Sequence, residues 1–97
     1  MDERSAEEAA HALARAIVAR DYGATIRAMT PDALARAMAL GNTTWNCTTY
    51  ELSPRGQDGD TYVFDVVFQT DQAPLSLRQR LRLVDGVWRI VDIETIP

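Results

Sequence analysis

The stretch Leu75-Ser-Leu-Arg-Gln-Arg-Leu-Arg-Leu-Val84, Asp85-Gly86, Val87-Trp-Arg-Ile-Val-Asp-Ile-Glu94 decides the fold. Apolar and polar residues alternate on both sides of Asp85-Gly86, which is the pattern of strands with one buried face. Asp-Gly fits a two-residue type I′ turn, because both central residues of that turn take φ > 0. The segment reads as a β-hairpin. With Val84 and Val87 flanking the turn, Leu83 falls opposite Trp88, Leu81 opposite Ile90, Gln79 opposite Asp92 and Leu77 opposite Glu94, all on one face. The other face carries Arg78, Arg80, Arg82 and Arg89 among Val87, Val91 and Ile93.

Upstream of the hairpin, residues 61–70 alternate in the same way. Tyr62, Phe64, Val66 and Phe68 share one face, and Val63, Asp65, Val67 and Gln69 the other. If the loop 71–74 pairs Thr70 with Leu75, Phe64 lies beside Leu81 and Asp65 beside Arg80. Residues 43–52 complete a set of four strands, at 43–52, 61–70, 74–84 and 87–96, with a polar loop at 53–60.

Before residue 40 the chemistry changes. Thirteen of the fourteen alanines lie there. Ser5-Ala6-Glu7-Glu8 has the form of a capping box, followed by an apolar stripe of Ala6, Ala9, Ala10, Leu13, Ala16 and Ile17 that ends near Arg20-Asp21. Asp21 then caps a short second helix with Tyr22, Ile26 and Met29 on one side. Thr30 and Pro31 supply the N-cap and first position of a third, whose Leu34, Met38 and Leu40 face inward before Gly41 ends it. Helices first and strands second indicate an α+β fold with an antiparallel sheet, since parallel strands would need helices between them.

The 97 residues, 46% hydrophobic, make one domain, 1–97. A net charge of −4 is the wrong sign for a chain whose main partner is nucleic acid, so none is expected. No stretch approaches the roughly twenty apolar residues of a membrane span, and the amino terminus lacks the basic and apolar regions of a secretion signal. The expected setting is the cytoplasm, with no membrane contact. One cysteine, Cys47, and one histidine, His11, without a metal-binding spacing, give no disulfide framework and no expected metal or cofactor. His11 reads as a solvated helix residue beside Glu7 and Arg15. All ten basic residues are arginine, which removes lysine-based covalent and general-base chemistry.

The segments Ile17-Val-Ala-Arg-Asp-Tyr22, Met29-Thr-Pro-Asp-Ala-Leu34 and Asp85-Gly-Val-Trp-Arg-Ile90 together resemble the nuclear transport factor 2-like superfamily, the cystatin-like cone that includes ketosteroid isomerases and polyketide-cyclase-like proteins. The resemblance implies three N-terminal helices packed on a four-stranded, curved antiparallel sheet. This chain is shorter than the larger enzymes of that group and lacks a helix or strand pair between its third helix and the main sheet. The resemblance also implies that the face of Trp88 and Ile90 points into the cone, where Trp45, Phe64, Gln79, Leu81, Trp88 and Ile90 line any pocket for a small apolar molecule.

The hairpin register carries Asp92 to the same place. A carboxylate among apolar side chains is held toward its neutral form by desolvation and can serve as a general base or acid. Isomerase chemistry also needs a donor to a developing enolate, for which Tyr62 is the first candidate and Tyr22, on a helix, the second. Two readings of Asp92 stand at this point, as that base or as a solvated rim residue. Tyr62 is likewise either a donor or a packing residue with a wet hydroxyl. For the opposite face, with arginines among Val63, Val67, Val87 and Val91, the expectation is a homodimer through the sheet, since a half-apolar face left open is an association surface. The leading functional expectation is non-enzymatic binding of a small molecule or a protein; the alternative is a small isomerase or cyclase with Asp92 as base.

Overall fold

The computed structural model describes residues 2–39, 47–71 and 73–96. Three helices come first: α1 (Asp2–Val18), α2 (Tyr22–Arg27) and α3 (Pro31–Ala39). A curved antiparallel sheet of β1 (Cys47–Asp58), β2 (Thr61–Thr70), β3 (Leu75–Val84) and β4 (Val87–Thr95) follows, in the order β1-β2-β3-β4. The α+β block order is thus the one the sequence implies.

Helix α1 starts at Asp2, so Ser5 lies inside the helix and does not cap it. At the other end Arg20 takes φ 61°, while its N–H donates to Ile17 O and that of Asp21 to Ala16 O. These paired bonds satisfy carbonyls that the helix end would otherwise leave open. Asp21 then caps α2 by accepting from Ala24 N at 3.2 Å, and Thr30 caps α3 by accepting from Ala33 N at 3.3 Å. Tyr22, Ile26 and Met38 all come out exposed, which corrects the inward placement of Met38. Ala33 takes the buried position on α3. Leu40 and Gly41 lie outside the described residues.

The helices cover one face of the sheet. Ala6, Ala10 and Ala14, spaced four apart on α1, are buried with Phe64, Val66, Phe68, Leu77, Leu81, Ile90 and Ile93 in a single core. Methyl side chains let the helix axis lie close to the aromatic rings of β2, and the dispersion contacts of a dense core follow from that approach. Residues 28–30 run beside β4. Ile90 N donates to Ala28 O and Thr30 N to Ile90 O, so this part of the β4 edge is covered.

The predicted hairpin turn is present, with Asp85 at φ 52° and Gly86 at φ 79°. Val84–Val87, Leu83–Trp88 and Leu81–Ile90 pair as expected. Beyond them the register changes: Arg80 pairs with Asp92, Gln79 with Ile93 and Arg78 with Glu94. Val91 is the extra residue of a bulge. Because side chains alternate with period two, one inserted residue reverses every face assignment after it. Asp92 and Glu94 therefore go to the face away from the helices, and Ile93 turns into the core.

Two other expectations are corrected. Strands β2 and β3 are displaced by two residues from the expected pairing, so Phe64 faces Gln79 and Asp65 faces Arg78. An even displacement keeps the faces and changes only the neighbours. Residues 53–58, read as loop, continue β1, with a bulge at Arg55 between the pairs Pro54–Phe64 and Gly56–Val63. The polar composition of this arm reflects exposure on an edge strand, where side chains need not be apolar.

Candidate functional site

The outer face of the sheet is built from alternate positions of four strands. Register places Val63, Asp65 and Val67 of β2 beside Arg80, Arg78 and Ser76 of β3, with Asp92 and Glu94 of β4 beyond the arginines. Bulging at Arg55 brings a further guanidinium to the same face. Asp65 is only 6% exposed. One of its carboxylate oxygens accepts from Arg78 Nε at 2.8 Å; the other accepts from Arg55 Nε at 2.7 Å and from Arg78 Nη2 at 3.1 Å.

These donors hold the Asp65 carboxyl below its ordinary pKa: the hydrogen bond from Arg78 is the largest cause, burial opposes it, and Arg55 adds to the lowering. A second group lies alongside. Arg80 Nη1 reaches Glu94 Oε1 at 2.8 Å and Asp92 Oδ2 at 3.4 Å, while Arg36 of α3 approaches Asp92 Oδ1 at 3.3 Å. The hydrogen bond from Arg80 is the main reason that Glu94, too, titrates below the usual carboxylate range.

An open groove of about 390 Å³ crosses this face, lined by Arg55, Gly56, Gln57, Asp58, Val63, Arg78 and Arg80. Another, of about 320 Å³, lies at the seam of α3 and β4, lined by Arg36, Ala39, Ile93, Glu94 and Thr95. Gly56 sits at φ 121° with nothing within 4 Å of where a Cβ would stand. The strand therefore leaves its backbone bare at the groove's edge.

The residues proposed for the inner face are brought together as packing. Phe64, Gln79, Leu81 and Ile90 are buried there, Trp88 is half-buried, and Tyr62 meets Trp88 edge-on with ring centroids 5.6 Å apart. Trp45 lies outside the described residues. Asp92 is not beside Gln79: the Val91 bulge sends it to the outer face, while Tyr62 remains on the inner one. The two candidate catalytic groups thus stand on opposite sides of the sheet. Gln79 is 1% exposed, and among the described residues neither its Oε1 nor its Nε2 has a hydrogen-bond partner.

Three groups differ from the sequence expectation. Arg55, expected in a loop, is turned toward Asp65 by a bulge that has no marker in the sequence beyond Pro54 and Gly56 on either side. Asp65 lies beside Arg78 rather than Arg80. His11, read as solvated, instead bonds Tyr50 Oη through Nδ1 at 2.8 Å, joining α1 to β1, with Glu7 Oε2 3.8 Å from its other nitrogen.

Among the described residues no group of three His, Cys, Asp or Glu is placed to hold a metal ion, and no helix is long and apolar enough to cross a membrane. No protein-family model, curated protein or solved structure matches the chain.

Proposed function

We propose that this chain is a non-enzymatic association domain of the nuclear transport factor 2-like type, which pairs with a second copy of itself through the outer face of the sheet. The single observation behind this reading is the composition of that face. Val63, Val67 and Val91 are only partly covered and Val87 is 51% exposed, while the carboxylates of Asp65, Asp92 and Glu94 among them are already paired with arginines of the protomer. Apolar positions supply the association energy. Charged groups that carry their partners with them lose less on leaving water than isolated ions do. The order of helices before a curved four-stranded antiparallel sheet supports the cone assignment.

Light scattering at micromolar concentration tests the pairing, with twice the chain mass expected. Val67→Glu is the sharper variant, since register fixes Val67 on the outer face between Glu51 and Ser76. It should shift the protein toward monomer while leaving its circular dichroism unchanged. A wild-type monomer at that concentration defeats the reading.

A second reading, a small and largely apolar molecule bound inside the cone with one polar group on Gln79, is favoured by one observation, the amide of Gln79, unpartnered among the described residues in an otherwise apolar core. Native mass spectrometry of the purified protein checks it by seeking a copurifying molecule that Gln79→Leu loses. The isomerase or cyclase alternative requires Asp92 and Tyr62 to face one substrate. Their positions on opposite faces offer it no common site.

A further inference from the structure

We infer that the outer groove between β1 and β3 is an oxyanion-binding site, in which Arg55, Arg78 and Arg80 receive a phosphate or carboxylate group. The inference goes beyond association and stands on a different observation, the way in which the three guanidinium groups are held. Each guanidinium has five N–H donors in a planar fork. Asp65 engages Nε of Arg55 and Nε and Nη2 of Arg78, and Glu94 and Asp92 engage only Nη1 of Arg80. Among the described residues, both terminal nitrogens of Arg55, Nη1 of Arg78, and Nε and Nη2 of Arg80 are left over. All three residues line the same open groove.

Asp65 is the organising element. Its buried carboxylate sits under two of the arginines and fixes their heads, so part of the side-chain entropy that a flexible arginine loses on binding an anion is already lost in the fold. It accepts from one edge of each guanidinium, leaving other N–H groups available for a planar or tetrahedral oxyanion. The groove lining carries three cations against one carboxylate, Asp58, with Asp65 beneath it. Gly56 adds room, because no side chain stands between its backbone and an incoming oxygen. The carboxylates of Asp92 and Glu94 hold Arg80 from the β4 side and do not line this groove.

Phosphate and carboxylate share the needed geometry, and two probes separate them. Inorganic phosphate and malonate are titrated, at constant ionic strength, into the ¹⁵N-labelled 97-residue chain. Saturable shifts are expected at the amides of Gly56, Gln57 and Val63. Binding of both probes means that acidic side chains fall within the range of the site; binding of phosphate alone assigns it to phosphate groups. Arg55→Gln, which leaves the Asp65–Arg78 pair intact, should weaken binding by about tenfold, and Arg80→Gln comparably, whereas Arg15→Gln on α1 should not. Shifts that rise linearly without saturating for both probes overturn the proposal. So do affinities that stay within about twofold in Arg55→Gln and Arg80→Gln. Light scattering on the same samples keeps this result apart from the pairing: a monomer that still binds phosphate sinks the homodimer and leaves the site standing.

Discussion

Asp65 and Gln79 are both buried polar residues, at 6% and 1% exposure, on adjacent strands and opposite faces of the sheet, yet their surroundings differ completely. On the outer face Asp65 has Arg78 directly across the ladder and Arg55 turned in by a bulge, and both of its oxygens are engaged. On the inner face Gln79 lies between Phe64 and Ile93 across the strands and Leu77 and Leu81 along its own, none of which has a polar side chain. A full charge is thus provided for better than a neutral amide. The difference teaches that burial alone says little about function here. What matters is whether register brings donors to the same face, and on this sheet the arginines that meet a buried polar group are on the outside.

The largest expected effect comes from removing the main partner of Asp65. Arg78→Met should lower the urea midpoint of unfolding clearly, because it leaves the buried Asp65 carboxylate with Arg55 alone. Urea denaturation measures it, and a change below about 0.5 kcal/mol would mean that Asp65 reaches water freely.

Acid should expose the same contrast. The folded-state pKa of Asp65 is lowered, so its contribution is present in full above the unfolded value near 3.8 and is lost as pH falls through the lower folded value. Melting midpoints recorded between about pH 2 and 7 should fall less steeply at the acid end for Asp65→Asn than for the wild type. Parallel curves for the two proteins would remove Asp65 from the account of acid stability.

Gln79→Leu should have the smallest effect and the opposite sign. Replacing an unsatisfied buried amide by an apolar side chain of similar size is expected to stabilise by about 1 kcal/mol. Loss of stability would show that the amide has a polar partner, and would favour the reading in which a small molecule lies between the helices and the sheet.

Much of the fold was legible in the residues themselves. Alanine before residue 40 and alternation after it set helices before strands, and Asp85-Gly86 set the turn and the pairing as far as Leu81–Ile90. The caps at Asp21 and Thr30 were readable because a cap is a contact between residues three apart. The candidate site was legible only in outline. The face shared by Val63, Asp65, Arg78 and Arg80 followed from period-two alternation, which survives an even shift of register.

The tertiary structure alone decided which arginines hold Asp65, that residues 53–58 continue β1, and that Val91 is a bulge. Each of these is set by what lies across a strand or beside an edge. Ile90 is bonded on its outer side to residues 28–30, and the register to β3 changes immediately after it. Local pattern carries no information about such distant partners. One residue without a cross-strand mate is enough to move Asp92 from a core of aromatic side chains to a surface of arginines, because the alternation that makes a strand readable also makes it reverse at every insertion.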